Sequence, residues 1–88
     1  MPRFADVVVI ETAFDPPLTD EDHNRIGERI DQCATLRNAR WMRSYLSVDR
    51  KQMFCEFEAP SVDAVREAYR SAGVGFVRAW KSELYART

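Results

Sequence analysis

Arg43, Tyr45 and Glu56 are the residues of this 88-residue chain best suited to acid–base chemistry. Side chains alternate along a strand, so residues two apart share a face. On a common face, Arg43 could stabilise a developing oxyanion, Tyr45 could donate a proton and Glu56 could act as a general base. Trp41, Phe54, Glu58, Phe76, Arg78 and Trp80 fall where they could extend that face and line a ligand cavity. The plainer reading is a structural ion pair between Arg43 and Glu56. A second group of residues suits metal. His23, Cys33 and Cys55 offer the imidazole and thiol donors that divalent transition metals take. His23 lies one turn after Asp20, and the two could hold an ion at the edge of a helix. Here too a plainer reading stands alongside: a solvated helix start for His23, and small buried apolar residues for the cysteines. A single histidine at a helix start cannot assemble a Ser/His/Asp arrangement. Gly73-Val-Gly75 is an ordinary turn, not a phosphate-cradling loop.

The elements that must position these groups follow from patterning. Phe4 to Glu11 is rich in β-branched residues and predicts a first strand, which Asp15-Pro16-Pro17 ends. Thr19 is placed to cap a helix whose first turn holds Asp20, Glu21 and Asp22. Ile26, Ile30 and Cys33 make its apolar stripe, and Asn38 can stop it in a left-handed conformation. Strands are expected over about residues 40–47 and 52–58, joined through Val48-Asp49-Arg50-Lys51. Pro60 breaks the strand, Ser61 can cap a second helix with Val62, Val65, Ala68 or Tyr69, and Ala72 inward, and Gly73 ends it. Val74 to Tyr85 reads as the last strand. The order β-α-β-β-α-β is the ferredoxin-like α+β arrangement: one domain over residues 1–88, with a four-stranded antiparallel sheet and two helices on one face.

If the hairpin connection is even, Ser44 lies opposite Cys55 and Leu46 opposite Met53. Met42, Ser44, Leu46, Met53, Cys55 and Phe57 then pack under the helices. Trp41, Arg43, Tyr45, Phe54, Glu56 and Glu58 face the other way, joined by Phe76, Arg78 and Trp80, with Val77 and Ala79 turned toward the helices. The first strand is ambiguous, since both of its alternating sets are largely apolar. Such an aromatic open face exceeds what a soluble monomer usually exposes. A second copy packed sheet against sheet relieves it and makes a dimeric α/β barrel. The barrel interior is either a wet interface or a cavity for a small apolar ligand.

Composition narrows the classes. Thirteen Lys+Arg stand against fourteen Asp+Glu, without the basic excess of a phosphate-gripping nucleic-acid binder. Two cysteines are too few for a disulfide framework and favour free thiols in a reducing, cytoplasmic setting. Val7-Val8-Val9-Ile10 is too short for a signal-peptide core or a membrane span. A domain of this size buries only about 60–65% of its unfolded surface, so dimerisation would help its stability.

Trp-x-x-Ser-Tyr at Trp41, Ser44 and Tyr45, Cys-Glu-Phe-Glu-Ala-Pro at 55–60 and Asp63-Ala-Val-Arg-Glu-Ala68 resemble the nickel-binding-like family of small bacterial proteins. The opening Met1-Pro-Arg-Phe4 and Leu18-Thr-Asp-Glu-Asp22 fit it too. The resemblance implies a ferredoxin-like fold, a dimeric barrel, and binding of nickel or another divalent metal in at least one type of member. Many members carry histidine where this chain has Arg43, which stays protonated and cannot be a ligand. The expectation is therefore a small cytoplasmic ligand-binding homodimer. The alternative is a cofactorless barrel enzyme that uses Arg43, Tyr45 and Glu56 on an apolar small molecule.

Overall fold

The structure, a computed structural model, describes residues 3–85 and 87. The opening Met1-Pro2 and the side chains of residues 3–5 lie outside the described set. The elements run β1 (Arg3–Ala13), α1 (Asp20–Thr35), β2 (Arg40–Leu46), β3 (Gln52–Glu58), α2 (Val62–Ala72) and β4 (Arg78–Tyr85). All strand pairs are antiparallel and the sheet order is β2-β3-β1-β4, the ferredoxin-like order. α1 packs on β2, α2 packs on β1 and β4, and the helices pack on each other, so one face is covered.

Local signals explain the boundaries. Thr19 accepts a hydrogen bond from the Asp22 backbone N–H at 3.1 Å, and Ser61 does the same for Ala64 at 3.1 Å. Gly73 closes α2 in the left-handed region at φ 74, and Asn38 adopts φ 57 after α1. The β2–β3 hairpin is pinned to the start of α1. Arg50 forms an ion pair with Asp20 at 2.6 Å, and the Leu18 N–H donates to the Arg50 carbonyl at 2.9 Å.

Register settles the first strand. Val8, Ile10 and Thr12 pair with Phe57, Cys55 and Met53 and turn toward the helices. Val9 and Glu11 therefore point to the open face, opposite Glu56 and Phe54. Tyr69 lies at the centre of the core, edge-to-face with Phe57 at 6.1 Å and with Phe76 at 6.1 Å. Ser44 does pair with Cys55 and Leu46 with Met53.

Three expectations are corrected. Trp41 does not share a face with Arg43. The pairing steps from Trp41↔Phe57 to Arg43↔Glu56, so a bulge takes up Met42 and turns Trp41 to the helix side. Phe76 is not on the open sheet either. β4 begins only at Arg78, and Phe76 packs on Tyr69 in the connection before it. Val77 lies outside the strand as well and is exposed, whereas Ala79 is buried as expected.

Phe57 is fully buried against Tyr69. Phe57→Ala should lose about 3–5 kcal/mol, most of what a domain of this size has, and urea unfolding would show little cooperative transition.

Candidate functional site

The sheet's alternation divides the candidate groups between its two sides. On the open face, two cross-strand rows lie side by side. One runs Arg43, Glu56, Val9, Trp80, and the next Tyr45, Phe54, Glu11, Arg78. Arg43 Nε donates to Glu56 Oε1 at 2.6 Å, and Arg78 Nε donates to Glu11 Oε1 at 2.7 Å. Arg40 pairs with Glu58 on the same face. Phe54 meets Trp80 edge-on at 6.3 Å, and the Arg78 guanidinium stands over the Trp80 ring at 5.9 Å. Arg43, Tyr45 and Glu56 thus come together as expected. The Glu56 carboxylate is engaged by Arg43, however, which makes it an ion-pair partner before it can be a base.

Sequence reasoning missed Glu11. Its side chain is only 9% exposed and is held by Arg78 and by Gln52 Nε2 at 3.0 Å. The Arg78 hydrogen bond, then that from Gln52, draws its carboxyl below the usual carboxylate value. A carboxylate immediately after the apolar run 7–10 was the available signal.

On the covered side, a cleft of about 350 Å³ opens between part of α1 and strands β2 and β3. His23, Asn24, Ile26, Gly27, Glu28, Ile30 and Asp31 form the helix wall, and Trp41, Ser44, Met53, Cys55, Phe57 and Tyr69 the rest. The bulge brings Trp41 here. Its Nε1 donates to Ser44 Oγ at 2.8 Å, and Ser44 Oγ donates to Cys55 Sγ at 2.9 Å. Burial pushes the Cys55 thiol up, so it stays protonated at neutral pH. Tyr69 is also buried, its phenol raised well above the ordinary value by desolvation, and its hydroxyl has no hydrogen-bond partner of good geometry among the described residues. Gly27 leaves the wall open: a Cβ there would meet nothing within 4 Å.

The metal-type residues separate. His23 and Cys55 line the cleft, whereas Cys33 does not and is half-buried against the core. Asp20 is taken by Arg50 and does not pair with His23 in a site. Among the described residues no three of His, Cys, Asp and Glu come together as a metal site. Both thiols are free.

The profile of a family described as nickel responsive protein SCO4226-like matches residues 9–81. The chain belongs to this family. The crystal structure of SCO4226 from Streptomyces coelicolor A3(2) matches with a TM-score of 0.82, covering 91% of this chain and 99% of that one at 15% identity. At that identity the likeness speaks for the fold. No protein with a curated description matches. The matched span of this SCO4226-like chain takes in both open-face rows and the whole cleft lining. No described helix is long and apolar enough to cross a membrane.

Glu11 titrates lower in the folded chain than unfolded, so its contribution to stability is present above the ordinary glutamate value and is lost as pH falls through the lower, folded one. Glu11→Gln should flatten that acid limb of the stability–pH curve, measured by urea midpoints between pH 2 and pH 6.

Proposed function

We propose that this SCO4226-like chain is a small-molecule-binding protein, that its binding compartment is the cleft between α1 and β2–β3, and that it works as a cytoplasmic homodimer joined through the open sheet face. The observation that carries the reading is the cleft itself. Its volume of about 350 Å³ lies within the range of small-molecule sites. Its lining is mostly apolar with a few fixed polar groups: the Trp41–Ser44–Cys55 chain and the unpartnered Tyr69 hydroxyl. An orphaned buried hydroxyl costs on the order of 1–3 kcal/mol, which an acceptor on a ligand or a water could recover.

Nickel is the ion in the family's description. His23 and Cys55 give two donors in one cleft, with the thiol held protonated. Glu28 and Asp31 line the same cleft, but among the described residues no three such groups come together as a metal site. A resident nickel ion wants a fuller donor set and a thiolate, so it does not fit the single chain.

The open face supports the dimer. Trp80 and Tyr45 are exposed there, while its arginines are already matched by Glu56, Glu11 and Glu58. A second copy would cover aromatic surface without stranding a charge. The acid–base alternative has less support, because its carboxylate is occupied by Arg43.

The two tryptophans report on opposite faces. In a titration with 2-phenylethanol followed by NMR, the Trp41 indole N–H should shift and the Trp80 one should not. Gly27→Leu, which fills open space, should keep the fold and suppress the shift. Movement of Trp80 alone would put the ligand between the sheets instead, and a silent Trp41 would remove the cleft reading. Nickel added to the same sample should bind no tighter than millimolar. Light scattering should give twice 10.2 kDa, and Trp80→Glu should return the monomer.

A further inference from the structure

We infer that the cleft takes an organic cation with an apolar body, such as a hydrophobic primary amine. The inference rests on the cleft being the binding compartment, and it concerns what the rim would select. Glu28 and Asp31 are three residues apart on α1, both line the cleft, and both are exposed. Neither forms an ion pair among the described residues, although many other carboxylates of the chain do. No lysine or arginine lines the cleft, and its one other ionisable rim group is His23. The rim is therefore a zone of uncompensated negative charge.

Below the rim the chemistry changes. The rings of Trp41, Phe57 and Tyr69 and the Met53 side chain line the interior. The Trp41 ring is held by its hydrogen bond to Ser44. A held indole face attracts a cation as well as covering carbon. The buried Tyr69 hydroxyl is a second, independent mark of a ligand site: it lies beside the Cys55 thiol, yet makes no hydrogen bond of good geometry among the described residues. An amine of this kind would place its carbon body among the rings and its ammonium at the Glu28–Asp31 rim. An anion of the same shape would meet two carboxylates and no counter-charge. Exposed charges of this kind are worth up to about 1 kcal/mol each, or roughly fivefold in affinity, and they weaken as salt rises.

Three probes that share a phenylethyl body make the test: 2-phenylethylamine, 2-phenylethanol and 3-phenylpropionate, each titrated while the Trp41 indole N–H is followed. The amine should bind about fivefold tighter than the alcohol, and the carboxylate weakest. The double variant Glu28→Gln with Asp31→Asn should remove the amine's advantage and leave the alcohol unchanged. Both positions are exposed, so the fold should survive, and circular dichroism checks it. High salt should also shrink the preference. If the alcohol or the carboxylate binds as tightly as the amine, the charge selection is overturned while the cleft remains a ligand site. If none of the three moves Trp41, the cleft reading itself falls.

Discussion

The bulge at Trp41–Met42 is the constraint on which the site depends. Strand β2 carries an extra residue against β3 there, and the alternation of side chains slips by one position. Without the slip, Trp41 would sit beside Arg43 and Tyr45 on the open face. With it, the indole reaches Ser44 and through it Cys55, and becomes a wall of the cleft under α1. β2 is an edge strand, so a bulge there disturbs only one neighbour. The same extra residue therefore removes an aromatic ring from the open face and adds one to the cleft.

What remains on the open face is internally balanced. Arg43 with Glu56, Arg78 with Glu11 and Arg40 with Glu58 are cross-strand pairs. Each keeps its arginine in solvent, so its contribution to stability is modest. A sheet face whose charges are already matched can be covered at lower desolvation cost than one with free charges. The cleft has the opposite character. Its rim carboxylates are unmatched and one hydroxyl inside it is unsatisfied, which is what a site left incomplete for a ligand looks like.

Much of the fold was legible because its signals are local. Thr19, Ser61, Gly73 and Asn38 act on their own turns, and each does what its type predicts. The even hairpin set Ser44 against Cys55 and Arg43 against Glu56 by arithmetic alone. Trp41 escaped because no residue type announces a bulge, and the register shift shows only in the pairing with β3. Phe76 escaped because β-propensity ran on through Val74–Val77, whereas the core offered its ring a place against Tyr69. Glu11 was read as the end of a strand, and only the sheet order, which puts β1 between β3 and β4, explains how Gln52 and Arg78 reach it from two sides. The cleft was beyond reach because it is a gap between α1 and the sheet, and a gap has no residues of its own to carry a pattern.

The two faces are separated by one strand's thickness, and β3 belongs to both. Met53, Cys55 and Phe57 turn to the cleft and core, while Phe54, Glu56 and Glu58 turn to the open face. A shift of β3 would therefore be felt on both sides. β3 is also an interior strand, bonded to β2 and β1, and such a strand resists sliding. β2 is the freer element: it is bonded on one side only, carries the bulge, and contributes Trp41 and Ser44 to the cleft and Arg43 and Tyr45 to the open face. If occupation of the cleft is to be felt on the open face, the route runs through β2, because β2 contributes to both and is bonded on one side only.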